Sequence, residues 1–309
     1  MTPRKFNHVA VLMGGWSAER EVSLSSGKEC ADALETAGYR VTRVDVGRDI
    51  ADVLAKLKPE VCFNALHGRW GEDGCMQGLL EVMGIPYTHS GVRASSIAMD
   101  KQQTKRIVAQ AGVPIADAIE VTPEEALAEH AMPPPYVAKP ISEGSSVGVV
   151  IVPAGANRPP EKIRTVPLTA ERKLMVERFV PGRELTCAVI LGQPTEIIDI
   201  VSAAHLQFYD YEAKYAPGGS QHILPADIPV ELRAAIQRHT LAAHLALGCR
   251  GVSRSDYRWD ETKSDLVFLE INTQPGMTPT SLVPELGQHR GLNFPALVSL
   301  LVEDASTDR

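Results

Sequence analysis

Between Phe268 and Met277 an apolar run passes through Glu270 and Asn272 and then breaks at Pro275-Gly276. Residues two apart in a strand share a face, so Glu270 and Asn272 project together at a strand's end. A second strand-like run over residues 249–259 carries Asp256. If the two strands are antiparallel neighbours, its carboxylate joins the first pair. Two carboxylates and an amide oxygen form a hard, all-oxygen set that suits Mg²⁺ shared with nucleotide phosphates and does not suit zinc. The plainer alternative, side chains that merely face solvent, is weakened by Asp256 and by the Gly-Met loop that follows.

The 309 residues, 44% of them apolar and 22% charged, leave room for two or three globular domains. No run approaches a membrane span and the first residues carry no apolar targeting segment, so a cytoplasmic enzyme is the expectation. A net charge of -7, with Lys and Arg scattered rather than striped, argues against a nucleic-acid surface. The five cysteines, Cys30, Cys62, Cys75, Cys187 and Cys249, are odd in number and unrelated in spacing. They read as small core residues rather than as a disulfide framework or a zinc site.

From the N-terminus, a strand over residues 8–13 runs into Gly14-Gly15-Trp16-Ser17, and Glu19-Arg20-Glu21 opens an amphipathic helix over 22–37. Strand and helix alternate again at 40–46 with 50–57 and at 61–65 with 73–83, which predicts a wound α/β sheet. The adjacent glycines and bulky Trp16 do not make the G-x-G-x-x-G dinucleotide fingerprint. Glu19 either compensates a helix dipole or receives a substrate ammonium. His67 stands in a glycine-rich loop, residues 67–74, at the end of the third strand.

A helix over 101–111 stops at Gly112-Val113-Pro114, and strands follow at 115–121, 136–140 and 147–152, with a helix after Pro123. Between Lys139 and the last of these lies Glu143-Gly144-Ser145-Ser146-Val147-Gly148, a loop of small residues that is either a hairpin turn or a wrap for a polyphosphate. Lys101 and Lys139 at neighbouring element ends favour phosphates. Residues 153–169 read as a loop with one short helical piece, 173–178 as a strand, and Glu177 to Glu184 as a connector between domains. Strands at 185–191 and 196–200 form a hairpin through Gly192-Gln193-Pro194-Thr195. Residues 202–222, long and aromatic, read as a lid. A helix over 230–247 capped by Gly248 and closing helices over 281–286 and 293–302 complete the chain.

The ordered series of these motifs resembles the D-alanine--D-alanine ligases of the ATP-grasp superfamily. The resemblance rests on Gly14-Gly15 with Ser17 and Glu19-Arg20-Glu21-Val22-Ser23, on Ala65-Leu66-His67-Gly68-Arg69 with Gly71-Glu72-Asp73-Gly74, and on Met99-Asp100-Lys101. It continues through residues 143–148, Tyr209-Asp210-Tyr211-Glu212-Ala213-Lys214-Tyr215, and Asn272-Thr273 with Pro275-Gly276-Met277-Thr278. Two positions depart from the commonest family wording: Trp70 for a smaller residue and Gln274 for serine.

The resemblance implies an α+β fold of three domains, an N-terminal wound α/β domain (1–96), a central ATP-grasp subdomain (97–181) and a C-terminal one with the metal site and lid (182–309). It implies ATP-dependent joining of two D-alanine molecules for peptidoglycan synthesis, through an acyl phosphate. ATP would meet Lys101, Lys139, Glu143, Ser145 and Ser146 at its phosphates, Glu177, Arg178, Phe179 and Val180 at adenine, and Glu184 at ribose, with Lys214 and Asn272 also in contact. Asp256, Glu270 and Asn272 would hold two Mg²⁺ or Mn²⁺ ions, with K⁺ a further candidate. Glu19 would take the first ammonium and His67 orient the first carboxylate. Arg254 and the Gly276 amide would stabilise the developing oxyanion, and Ser281, Leu282 and Lys214 would meet the second substrate. Ser145 and Tyr215, linked through Glu19, would close the lid, and tyrosine rather than phenylalanine at 215 implies a dipeptide rather than D-alanyl-D-lactate. A homodimer is the implied assembly.

Three rivals stand beside this reading. Another carboxylate-amine ligase would differ only around Glu19, His67, Tyr215 and Ser281. An inactive ATP-binding regulatory module would lack Arg254 or part of the metal set, and the chain has both. A dehydrogenase is disfavoured by the missing fingerprint.

Overall fold

The computed structural model describes residues 4–142, 148–168, 172–202, 220–278 and 280–308. Three sheets organise them. In the first, β1 (His8–Met13) lies between β2 (Arg40–Asp45) and β3 (Val61–Asn64), and both pairings are parallel. All six residues of β1 are buried, which is why it reads as an unbroken apolar run rather than an alternating one. Helices α1 (Arg20–Thr36), α2 (Ile50–Leu57) and α3 (Cys75–Met83) complete this unit. Gly27 lets α1 approach β1, since a Cβ there would collide with the Met13 side chain.

Next come α4 (Val92–Met99) and α5 (Lys101–Gln110). Asp100 ends one and caps the other, accepting from the Gln102 and Gln103 amides at 2.9 Å. The apolar pattern of the sequence marks α5 but not α4, whose buried face is only Ala94, Ser95 and Ala98. Side chains that small leave no apolar stripe.

The second sheet has the order β4-β7-β5-β6. Its strands are β4 (Ala118–Val121), β5 (Tyr136–Pro140), β6 (Val150–Val152) and β7 (Leu174–Arg178), and α6 (Pro123–Ala128) begins in a Thr122/Glu125 capping box. The expected strand over 115–121 is shorter, because Ile115 bridges to Phe268 of the third sheet instead. Glu177 and Arg178 belong to β7, so the connector is confined to Phe179, Val180, Pro181 and Gly182. The short helical piece is a 3₁₀ turn, Glu161–Thr165.

The third sheet is antiparallel throughout, in the order β10-β9-β8-β11-β12. It comprises β8 (Arg183–Ile190), β9 (Gln193–Ser202), β10 (Ser220–Ile223), β11 (Val252–Asp260) and β12 (Asp265–Asn272). The β8–β9 turn is Leu191-Gly192 rather than residues 192–195, with φ of 48° and 76°. Two successive positive φ values match the right-handed twist of the strands. Helix α7 (Val230–Leu247) packs on this sheet and ends at Gly248 in the left-handed conformation.

Helices α8 (Leu282–His289) and α9 (Phe294–Asp304) return the chain to its beginning, α9 packing on α1. One continuous core therefore joins Val9, Val11 and Phe63 of the first sheet to Ala188, Ile190 and Ile198 of the third and to Leu282 and Leu297. Cys30, Cys62, Cys187 and Cys249 are buried as expected, whereas Cys75, at the start of α3, is exposed. Among the described residues no helix is long and apolar enough to cross a membrane.

Helix α7 is fastened to β11 by His244, buried with Nδ1 2.7 Å from Ser253 Oγ. Burial and then Arg250 lower its pKa to about 4. The folded protein therefore prefers the neutral ring. That stability is complete above about pH 6.5 and is lost as pH falls toward about 4, a difference on the order of 3 kcal/mol. Denaturant unfolding of His244→Gln across this range is expected to show a flatter acid dependence than the parent. Parallel curves would contradict the assignment.

Candidate active site

The β1–α1 turn is tied to the end of β3 before any functional side chain is placed. Ser23 Oγ accepts from the Gly14 amide at 2.9 Å and donates to the Ala65 carbonyl at 2.8 Å. Ser17 Oγ donates to the His67 carbonyl at 2.7 Å and accepts from the Glu19 amide at 3.2 Å. Glu19 is the N-cap of α1, and its carboxylate lies against Gly68, where φ is +71° and a Cβ would strike Oε2. His67 is buried, with Nε2 3.0 Å from Ser26 Oγ and Nδ1 3.0 Å from Glu72 Oε1. Both ring nitrogens thus have fixed neighbours, and Glu19 and His67 share one corner. Beside them Trp70 packs on Trp16, centroids 6.1 Å apart, and Arg69 lies 4.6 Å over the Trp70 ring.

A second group of side chains comes from β11 and β12. Their register pairs Arg254 with Asn272 and Asp256 with Glu270. It then shifts, so that Tyr257 faces Phe268 and Leu269 is the extra residue of a bulge. The Asp256 carboxylate is gripped on both oxygens by Arg254, from Nε at 2.9 Å and Nη2 at 2.8 Å. It also accepts from Thr186 Oγ1 at 2.6 Å and Asn272 Nδ2 at 3.2 Å. Glu270 lies 3.1 Å from Lys101 Nζ, at the first turn of α5. Among the described residues no three His, Cys, Asp or Glu side chains form a ready metal cluster. The set is two carboxylates and one amide, whose chemistry fits a hard divalent cation that replaces Arg254 or Lys101 as the carboxylates' partner.

A third group lies behind these. Glu177 is buried, Lys139 Nζ contacts its Oε1, and Lys105 Nζ is 2.6 Å from its Oε2. Burial opposes the Glu177 charge, but Lys139 and Lys105 together outweigh it and hold the carboxyl at about 2. Glu184 faces Arg258 across the β8–β11 pair at 3.5 Å, and Val180 offers its carbonyl to Arg258 Nε at 3.2 Å. Arg178 pairs instead with Asp265 at 2.7 Å, and the Phe179 amide is bonded to the Pro135 carbonyl.

Beyond the break in β12, Gly276 is half-buried, and Ser281 Oγ would stand 3.1 Å from a Cβ placed on it. Ser281 is the N-cap of α8 and its Oγ accepts from the Thr278 amide at 3.0 Å, while the Leu282 side chain belongs to the core. Glu143, Ser145 and Ser146 of the glycine-serine loop lie outside the described residues, as do Lys214 and Tyr215 of the 202–222 segment.

This arrangement runs the length of the chain, and so do the similarities to known proteins. Residues 107–303 match the family described as D-ala D-ala ligase C-terminus, and residues 49–90 match D-ala D-ala ligase N-terminus. The chain belongs to the D-alanine--D-alanine ligase family. A relative of that name from Parvibaculum lavamentivorans is 59% identical over 305 residues, 98% of each chain, and one from Rhodopseudomonas palustris is 56% identical over 312 residues, all of both chains. The crystal structure of the Bacillus anthracis D-alanine--D-alanine ligase is similar with a TM-score of 0.79, 32% identity and 96% of each chain covered. The same enzyme complexed with ATP gives 0.77 and 28%, again covering 96% of each chain. The fold is accordingly the α+β ATP-grasp architecture.

Three residues of the site, Thr186, Lys105 and Asn64, are not singled out by the sequence, and Gln274 stands out there only as a departure from family wording. Thr186 orients Asp256, and Lys105, four residues after Lys101 on one helix face, pairs with Glu177. Asn64 and Gln274 form a buried bridge between the loop that carries His67 and the end of β12. Asn64 Nδ2 donates to Gln274 Oε1 at 2.7 Å, and Gln274 Nε2 donates to the Leu66 carbonyl. Gln274, where family wording favours serine, thus spans a gap that serine is too short to cross. Gln274→Ala is expected to cost about 1–3 kcal/mol in urea unfolding, because it strands buried polar partners. An unchanged midpoint would show that the bridge is dispensable.

Proposed function

We propose that this chain joins two D-alanine molecules into D-alanyl-D-alanine, with cleavage of ATP to ADP and phosphate, to supply peptidoglycan synthesis. A carboxylate oxygen of the first D-alanine attacks the γ-phosphorus of ATP, the bond to the β-phosphate oxygen breaks, and an acyl phosphate results. The amine of the second D-alanine then attacks the acyl carbon and phosphate leaves. The amine's proton is lost on the way.

What supports the reading most is the β11–β12 register, which stands Arg254, Asp256, Glu270 and Asn272 on one patch within reach of Lys101. Arg254, already presenting a planar fork, is suited to charge on the transferred phosphoryl group and then to the tetrahedral oxyanion, with the Gly276 amide as its partner. Glu19 would hold the first ammonium and His67, fixed by Ser26 and Glu72, would orient the first carboxylate. Ser281 and the start of α8 would face the second substrate's carboxylate, together with Lys214 and Leu282. Lys101 and Lys139 would turn to the phosphates with Glu143, Ser145 and Ser146. The segment Glu177 to Val180 would meet adenine and Glu184 ribose. Asp256, Glu270 and Asn272 would hold Mg²⁺ or Mn²⁺, which when bound offsets repulsion between an anionic acceptor and the triphosphate. Ser145 and Tyr215 would complete a water-excluding closure with Glu19.

The division at 1–96, 97–181 and 182–309, a cytoplasmic location, a homodimer and a role for K⁺ belong to the same proposal. The resemblance of the motifs supports them.

Phosphate release measured against a panel of D- and L-amino acids is expected to respond to D-alanine, and at neutral pH D-alanine should outcompete D-lactate as second substrate. Preferential depsipeptide formation would overturn the dipeptide assignment. Arg254→Met should lower turnover by about 10²- to 10³-fold, and Glu270→Gln should abolish the metal dependence of phosphate release. Near-normal turnover in either variant would remove its residue from the mechanism.

A further inference from the structure

We propose that Lys105 is a positioning residue for the nucleotide phosphates: it keeps Glu177 paired, and so allows Lys139 to exchange that carboxylate for a phosphate. The inference rests on the reading of Lys139 as a phosphate ligand. It concerns a residue with no role in that reading.

The geometry is that of one buried carboxylate shared by two ammonium groups, one on each oxygen. Lys105 is 2% exposed and Glu177 3%, so neither can turn to water for compensation. Lys105 reaches Glu177 on β7 from the middle of α5, and its Nζ also lies 3.4 Å from the Phe268 carbonyl on β12. Lys101, one turn earlier on the same helix, pairs with Glu270 two residues beyond Phe268. Helix α5 therefore sets two ammonium groups along one face, between the second sheet and the third.

Removing one partner of a buried ion pair is costly because the other charge is left uncompensated. If Glu177 had Lys139 alone, moving that ammonium to a triphosphate would leave a bare buried carboxylate beside a polyanion. With Lys105 in place, Glu177 keeps a partner at 2.6 Å after Lys139 departs. Burial lowers the Lys105 pKa and Glu177 opposes that shift, so the carboxylate at 2.6 Å is what holds Lys105 as an ammonium; so held, two lysines on one carboxylate leave the cluster with one net positive charge, the sign a triphosphate requires. Without Lys105 the cluster is neutral, and Lys139 and Glu177 satisfy each other. The depressed Glu177 pKa agrees with a carboxylate that stays ionised throughout.

The test is equilibrium binding of a non-hydrolysable ATP analogue, with KM for D-alanine measured in parallel. Lys105→Met is expected to weaken nucleotide binding at least tenfold and to leave the D-alanine KM within about twofold, since its partner Glu177 is remote in the network from Glu19 and His67. Adding Glu177→Gln to Lys105→Met should recover most of the lost affinity, because the neutral amide no longer competes for Lys139. Nucleotide binding by Lys105→Met within twofold of the parent would overturn the inference, as would a double variant as weak as the single one. Should Lys105→Met fail to fold, Lys105→Gln decides: a loss of nucleotide affinity of at least about tenfold supports the exchange, and affinity within twofold of the parent refutes it. A parent protein that binds no nucleotide would instead overturn the functional reading beneath it.

Discussion

The antiparallel seating of β12 on β11 is the constraint on which the rest of the site depends. Side chains in a strand alternate faces, so a slip of one residue would turn Glu270 and Asn272 away from Asp256 and Arg254. The bulge at Leu269 absorbs one residue below the site, and the flanking strand β8 holds β11 from the other side through eight paired positions from Val252 to Trp259. The fully buried Tyr257 and Phe268 rings, edge to face with centroids 5.7 Å apart, lock the register just where it shifts. Gly182 contributes at the far end of β11, where a Cβ would collide with the Trp259 carbonyl. Packing, rather than the charged residues themselves, decides where the charges stand.

Those charges are then held in pairs. Lys101 faces Glu270, Arg254 grips Asp256, and Lys139 and Lys105 share Glu177. Such pairs add little to stability once desolvation is counted, because taking charges out of water costs about as much as their attraction returns. Their value is functional. Each cation proposed to meet phosphate or oxyanion is oriented by a carboxylate that either takes a divalent ion in its place or keeps a second partner. The site can thus be preorganised for a polyanion without presenting several uncompensated like charges in its absence.

The sequence made the scaffold legible wherever burial imposes a simple period. β1, α2, β5 and α7 have the bounds their apolar patterns predict, 8–13, 50–57, 136–140 and 230–247. The sequence also allows Asp256 to join Glu270 if their two strands are antiparallel neighbours, and the register pairs these residues directly. What stayed hidden depends on contacts between distant segments. Helix α4 buries only small side chains, the β8–β9 turn uses a left-handed leucine that composition does not suggest, and Cys75 is exposed although cysteine is usually buried. Lys105 and Gln274 are ordinary polar residues in the chain, and only the folded arrangement buries them against partners 72 and 210 residues away.

The central claim is that the β11–β12 register builds a divalent-cation site from Asp256, Glu270 and Asn272. Crystals grown with Mn²⁺ and ADP would test it by anomalous scattering at the manganese edge. The account predicts anomalous peaks in contact with the carboxylate oxygens of Asp256 and Glu270 and the amide oxygen of Asn272, with Lys101 withdrawn from Glu270. Manganese bound with the nucleotide elsewhere, with all three side chains still paired as in the ligand-free protein, would contradict it.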